Sequence, residues 1–418
     1  MKLPLKFIDR TFWGLYFTLL VVAVLALFSA SSSTVFKYSS IFGPVLKQSF
    51  FLFLGLVVAA GAQYVPTKWL RYLGYPILAF AVACLYLLLI PNSPFAEEKG
   101  EAVRWFRLNS HISFQPSELA KFGLILVVTD LLSRIRTEDD KKRYFLITLG
   151  ITAFTAAPVL PYNLSTTVLI VGVVFLLWYL ARIPWKLILT TMAIALTLMV
   201  CGYFYVKKVY IEPHRKIENK LLGRSVTWVN RVDAFLEHRT MTEEEFRKTM
   251  KEGDGYQRSL ANAAVVLGGK SPIGVLPGNS QQRDFLPVAH ADYIFSIIVE
   301  ETGFVGACLL IFLYLAILFR ACYVSTRYSE YGSMLMMMGM ALMLTCQAFI
   351  SMAVAVGLGP VTGQPLPLIS AGGTSALITS LYFGFMFAVA REQNELQNRQ
   401  LKTQNVNKEN DIQITFDS

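Results

Sequence analysis

The sequence predicts an all-α polytopic membrane protein, with about ten transmembrane helices and a large extracytoplasmic loop between the seventh and eighth. Three observations carry that expectation. Hydrophobic residues make up 54% of the 418 residues and charged residues only 16%, where about a quarter is usual in soluble domains. The apolar residues fall in runs near the length needed to cross a bilayer, about 20 residues of helix. Lysine and arginine gather at alternate ends of those runs, the pattern that sets orientation in a membrane. The net charge of +10 is spread between apolar spans and forms no nucleic-acid footprint. Cys84, Cys201, Cys308, Cys322 and Cys346 all sit in apolar stretches, which argues against a disulfide framework or a cysteine metal site.

The expected spans are roughly 11–30, 46–63, 70–90, 116–133, 144–160, 164–181, 186–206, 290–320, 332–356 and 374–390. The first is long enough to span and reads as an anchor, not a cleaved signal. The fourth carries Glu118, Lys121 and Asp130, so its charged side should face the bundle or a cavity rather than lipid. Placing the N-terminus inside puts Lys68 and Arg71, Arg134 to Arg143, Arg182 and Lys186, and Arg320 and Arg327 on the inner side. Both termini are then cytoplasmic. Residues 1–392 form a single domain. The tail 393–418, rich in Asn and Gln, is expected to be disordered or a frayed helix.

The connection 207–289 breaks the short-loop pattern and falls on the outer side. A loop of this length is exempt from the positive-inside count and is usually functional or disordered. Its end, Leu267–Asn279, is rich in Gly and Pro and reads as ordered turns. Gly268-Gly-Lys-Ser271 lacks the strand and spacing of a phosphate loop.

Four stretches carry polar chemistry, all on the outer side. The first, Arg283–Gly303, sets His290, Asp292, Glu300 and Glu301 against an uncharged run. Such groups at a membrane boundary pair, face water or serve a function. If one unbroken helix follows Pro287, Asp292 stands on the order of 15 Å above the uncharged part, at 1.5 Å per residue. Asp292, Ser296 and Gly303 then share a face. A solvated helix end that merely positions the protein explains the charges equally well. In the second, Phe114-Gln-Pro-Ser-Glu-Leu-Ala-Lys121, Pro116 suits the first helical position. Glu118 can cap the helix and pair with Lys121, or the helix start and Lys121 can hold an anion. The third, Trp105-Phe-Arg107, suits an aromatic belt at headgroup level. The fourth, Gly357–Ser375, is irregular backbone at membrane depth, tolerated only inside protein or beside a wet cavity. It reads as a re-entrant loop whose Gly372 and Gly373 allow close backbone approach.

Together these residues resemble the SEDS family (shape, elongation, division and sporulation), which includes FtsW and RodA. The matching pieces are Phe114–Lys121, Gly274–Ser280, Phe285–Phe295 with Glu300–Gly303, and Pro360–Ser375, in the family's order. The resemblance covers about residues 10–392 and leans toward the FtsW division branch. It implies a peptidoglycan glycosyltransferase that polymerises lipid II in the bacterial inner membrane, with its active site extracytoplasmic. It also implies partnership with a class B penicillin-binding protein transpeptidase and with other divisome proteins. By resemblance Asp292 is the essential aspartate. Glu118 and Lys121 match important positions, and Asp284 stands where the family often has another acid. The sequence departs from the family at Val288, Ala371, Ser351 and Leu160–Thr166.

The expected reaction is attack by an acceptor sugar 4-hydroxyl on C1 of a donor, with lipid pyrophosphate leaving. Asp292 is the expected general base. Lys121, Arg107 and Arg231 are candidates to stabilise the leaving diphosphate, with a divalent cation such as Mg or Mn as a further candidate. Asp284, His290, Glu300, Ser370, Gly372 and Gly373 complete the expected substrate-binding set. Two rival readings are a lipid II flippase and a non-catalytic scaffold that recruits a transpeptidase.

Overall fold

A computed structural model describes residues 8–31, 42–90, 95–99, 102–109, 112–161, 163–211, 220–238, 254–276, 280, 293–327, 330–360 and 363–417. Helices α1 (Arg10–Ser31), α2 (Phe42–Ala62) and α3 (Thr67–Leu89) come first, then three short strands β1 (Ala96–Lys99), β2 (Ala102–Asn109) and β3 (Ile112–Phe114). Helices α4 (Pro116–Ser133), α5 (Glu138–Ala156), α6 (Leu164–Leu180) and α7 (Trp185–Val206) follow. The long connection contributes α8 (Lys220–His238) and α9 (Asp254–Gly269). The chain closes with α10 (Ile294–Ser325), α11 (Tyr331–Ala355) and α12 (Gly373–Asp417). Every expected span falls on a helix. Among the described residues seven helices are long and apolar enough to cross a membrane, and α6 is a shorter apolar helix. Helix α4 carries three charges and is buried along nearly its whole length, while the six charges of α5 lie in its first two turns, ahead of its apolar run.

Each helix buries the face its spacing dictates. In α1, Phe12, Tyr16, Leu19, Ala23, Leu27 and Ala30 recur every three or four residues and are buried, while Phe17, Val21, Leu25 and Phe28 face outward. That exposed apolar side is what a lipid-facing helix presents. Tyr16 donates to Ser380 Oγ at 2.9 Å and Trp13 stacks on Phe387 with centroids 4.4 Å apart, so α1 lies along α12. Helix α4 is buried along nearly its whole length, as its charges demand. Its approach to α3 is backbone-close: a Cβ on Gly123 would lie 2.8 Å from the Leu78 nitrogen.

Polar ties fasten the end of the bundle away from the long connection. Arg320 pairs with Asp9 at 2.6 Å, joining α10 to the start of α1. The Thr67 hydroxyl donates to Glu392 at 2.5 Å, joining α3 to α12. Arg71 of α3 pairs with Glu330 at the start of α11. Thr137 and Asp140 cap α5 reciprocally. The Thr137 backbone N–H donating to the Asp140 carboxylate, with the Thr137 hydroxyl, holds that carboxyl below its usual range.

Four features differ from the sequence expectation or narrow it. The outer loop before α4 is an antiparallel sheet of order β1-β2-β3. Phe106 and Phe114, paired across it, pack with Cys84 and Leu88 of α3, while Trp105 and Arg107 take the other side by strand alternation. Of the two forms expected for the tail the helical one is present: α12 continues to Asp417, with no Gly or Pro in residues 385–417 and Arg391 and Glu395 paired one turn apart. Helix α10 starts at Ile294 and is not continuous, because Gly303 sits at φ 70°, ψ −165°. Ser296 and Gly303 therefore do not lie on one unbroken helix, and Asp292 lies outside the described residues.

The fourth feature explains the break. The Gly and Pro turns 271–276 dock into it: Phe304 and Val305 N–H donate to the Ser271 and Pro272 carbonyls at 3.3 and 3.2 Å. In return, Val275 and Leu276 N–H donate to the Glu300 and Glu301 carbonyls, both at 2.9 Å. The groups freed by the interruption are thus satisfied by the loop, which is what tolerates broken backbone at this depth. A Cβ on Gly303 would collide with the Gly274 nitrogen and lie 2.6 Å from the Ser271 and Pro272 oxygens. Gly303→Ala is expected to lower the thermal unfolding temperature by several degrees, with about 1–3 kcal/mol from backbone strain alone. Gly150→Ala, inside α5 where a Cβ meets nothing within 4 Å, is the matched control and should unfold at or slightly above the parent's temperature, since Ala favours a helix interior.

Candidate active site

The site is built around Lys121. Pro116 opens α4 and Glu118 lies in its first turn, so three residues on, Lys121 falls on the same face. The lysine is fully buried and its Nζ lies 2.7 Å from Glu118 Oε1. It also donates to Gln347 Oε1 at 2.7 Å. A buried cation with a single carboxylate partner is tolerable only when its hydrogen bonds are also placed, and Gln347 supplies one of them. An ammonium has three donors. Two are engaged by described residues, and the third is the donor an anionic oxygen would take.

Gln347 joins this pair to the re-entrant segment, because its Nε2 donates to the Pro365 carbonyl at 3.0 Å. Residues 363–372 form turns with no helix, yet Leu366, Leu368 and Ile369 are buried. Side chains from the bundle satisfy this backbone. Tyr314 donates to the Pro367 carbonyl at 2.6 Å and the Gly372 N–H donates to Gln48 at 3.2 Å. The Leu366 N–H donates to Ser370 Oγ at 2.8 Å. Ser370, Gly372 and Gly373 thereby have visible structural work: the first locks a turn, the second binds α2, and a Cβ on the third would press within 2.6 Å of the Phe51 ring.

A second polar group lies on the same segment. Gln364 Nε2 donates to Thr166 Oγ1 and, at 3.3 Å, to Asn163 Oδ1. Asn163 caps α6 by accepting the Thr166 N–H at 3.1 Å. Asn163 Nδ2 and Gln364 Oε1 are buried with no partner among the described residues. A donor and an acceptor left open together call for water or a ligand hydroxyl.

Glu300 and Glu301 are both buried at the break in α10. The Ser280 hydroxyl donates to Glu300 and the Ser29 hydroxyl to Glu301. Nearby, α9 packs Ala261 against Tyr293 and Ile297, Ser296 donates to the Ala355 carbonyl at 3.1 Å, and Asn262 lies against Gly357. The described parts of the long connection, of α10 and of the re-entrant segment therefore meet at the end of the bundle that holds Lys121. Arg107 is exposed on β2 and Arg231 half-buried on α8. Asp284, His290 and Asp292 lie outside the described residues.

Sequence reasoning passed over Gln347, Gln364 and Asn163 as site residues. Their signal was polarity in the wrong place: Gln347 interrupts an apolar span, and Asn163 and Gln364 flank apolar runs. Among the described residues no three His, Cys, Asp or Glu side chains gather as metal ligands.

Comparison with known proteins agrees along nearly the whole chain. The family model for the FtsW, RodA and SpoVE cell cycle proteins matches residues 9–395. The chain is 32% identical over 400 residues to the probable peptidoglycan glycosyltransferase FtsW of Saccharophagus degradans, covering 92% of this chain and 94% of that protein. It is 25% identical over 386 residues to the peptidoglycan glycosyltransferase MrdB of Escherichia coli, covering 91% and 93%. Among solved structures it matches a chain of a peptidoglycan synthase complex studied for coordination of polymerization and crosslinking. That match has a TM-score of 0.70 and 25% identity, covering 92% of this chain and 98% of the other. The rod shape determining protein RodA of Thermus thermophilus shares the fold, with a TM-score of 0.59 at 24% identity over 92% and 97% of the two chains.

Proposed function

The chain belongs to the FtsW/RodA/SpoVE family of membrane proteins, and from that premise we propose that it is a peptidoglycan glycosyltransferase polymerising lipid II. The observation that carries the reading at the level of geometry is Lys121, a buried cation with two of its three donors engaged among the described residues, held by Glu118 and Gln347 beside irregular backbone. A diphosphate leaving group develops negative charge as its bond to C1 breaks, and a fixed cation in a water-poor site stabilises that charge strongly.

In the proposed mechanism the acceptor 4-hydroxyl attacks C1 of the donor sugar. Asp292 takes the hydroxyl proton as the bond forms, because a sugar hydroxyl is a poor nucleophile without a base. The C1–O bond to the lipid pyrophosphate breaks on the opposite face, and an α-linked donor yields a β-linked glycan. Arg107 and Arg231 are proposed to assist Lys121. Glu300, which accepts from the Ser280 hydroxyl, is proposed to bind substrate together with Asp284 and His290. The expected divalent cation has no three-ligand site among the described residues, so no step is assigned to it.

The end carrying the long connection is proposed to face outward, with both termini cytoplasmic, from the distribution of lysine and arginine. A class B transpeptidase is the proposed partner, supported by the likeness to a chain of a synthase complex, with a role in division favoured by the FtsW relatives.

Purified full-length protein in detergent, given labelled lipid II with and without such a transpeptidase, is the test. Ladders of glycan polymer are the expected product. Detergent offers no bilayer to cross, so a flippase or a scaffold would leave lipid II unchanged in both arms.

A further inference from the structure

We propose that a basic cavity at the far end of α3 and α4 binds the phosphate of an anionic phospholipid headgroup. The cavity, of about 420 Å³, is lined by Lys68, Arg71, Arg134 and Arg136 together with Asp130. Its size falls in the range of pockets that hold small ligands, roughly 300–1,000 Å³. Asp130 and Lys121 are nine positions apart on α4, so this cavity opens near the end of the helix opposite the candidate active site. It uses none of that site's residues.

The charges do not cancel within the protein. Asp130 is engaged through Oδ2, which accepts from the Tyr75 hydroxyl at 2.7 Å and from Arg134 at 2.6 Å. Glu330, beyond the lining, is taken by Arg71 and by the Ser333 hydroxyl at 2.6 Å. The lining holds four cations against the single carboxylate of Asp130, flanked by Glu330 and by Asp140, which accepts from the Arg136 backbone N–H at 3.1 Å. Lys68 and Arg136 make no ion pair among the described residues. Arg71 is mostly buried, with 12% of its side chain exposed, and its Nε has no partner there. A buried charged donor without an acceptor is costly, and a phosphate oxygen is the acceptor that guanidinium geometry fits best.

The surroundings favour a lipid over a free anion. Trp69 and Tyr72 stand exposed beside the cavity, at 66% and 50%, as aromatic residues do at headgroup level. Further along α3, Leu73 and Phe80 continue an exposed apolar strip on which acyl chains can lie. Basic pockets between spans are where anionic headgroups are held.

The test uses full-length protein in an uncharged detergent, reading thermal unfolding during titration with dioctanoyl phosphatidylglycerol, dioctanoyl phosphatidylcholine or inorganic phosphate. Phosphatidylglycerol is expected to raise the unfolding temperature saturably, with at least a tenfold lower apparent affinity in Lys68→Gln/Arg136→Gln. Lys68→Arg/Arg136→Lys should respond as the parent does. An equal shift from phosphatidylcholine, or an unchanged response in the glutamine variant, would overturn the proposal. An equal shift from inorganic phosphate would overturn the lipid assignment. Native mass spectrometry of the unsubstituted protein gives a second reading free of any folding defect: preferential retention of phosphatidylglycerol supports the site, and equal retention of both lipids overturns it. Neither measurement reads polymerisation, so its failure leaves the proposed activity untouched.

Discussion

Asp292→Asn is expected to abolish glycan polymerisation by the purified protein while leaving its thermal unfolding unchanged. The amide keeps the size and hydrogen-bonding reach of the carboxylate but cannot take a proton from the acceptor hydroxyl. General-base catalysis contributes about 10²–10⁴-fold, and a loss in that range or greater is expected in initial rate with labelled lipid II. Lipid II binding, measured separately, should change far less than rate, because the base acts on the transition state more than on the bound substrate. A fully active Asp292→Asn protein would remove the base assignment.

The second large effect concerns Lys121. Lys121→Met leaves Glu118, 4% exposed, without its cation and Gln347 without its donor. Breaking one side of a buried ion pair typically costs about 3–5 kcal/mol, so the unfolding temperature should fall markedly along with activity. Stability and catalysis separate in the double variant Glu118→Gln/Lys121→Met. Removing both charges relieves the stranded carboxylate, and replacing a buried pair by neutral groups is often neutral or stabilising. The double variant should therefore regain most of the lost unfolding temperature and remain inactive, because no cation faces the leaving diphosphate. Recovery of activity together with stability would show that the pair only holds α4 in place.

Part of this site could be read along the chain. Glu118 and Lys121 stand one helical turn apart behind Pro116, a local relation that helix geometry determines, and the structure pairs them at 2.7 Å. The partner that makes the pair tolerable could not be read. Gln347 lies 226 residues away, and nothing in either stretch says that the two helices are neighbours. Gly303 shows the same limit from the other side. A glycine within a long apolar run reads as an ordinary member of a helix, and only the docking of residues 271–276 explains why the helix breaks there.

What the sequence by itself determined is the membrane class, the positions of the helices to within a few residues, the interior position of α4 and the stretches that carry polar chemistry. These are sums over consecutive residues: hydropathy, charge spacing and helical periodicity survive in one dimension. What only the tertiary structure decided is the company each polar group keeps. Gln347 at Lys121, the loop that closes the break in α10, the small sheet over α3, the ties between Arg71 and Glu330, and the far cavity all join residues distant in sequence. A buried polar group is stabilised by whichever donors and acceptors packing brings within about 3 Å, and that depends on which helices are neighbours, a property no single stretch of chain contains.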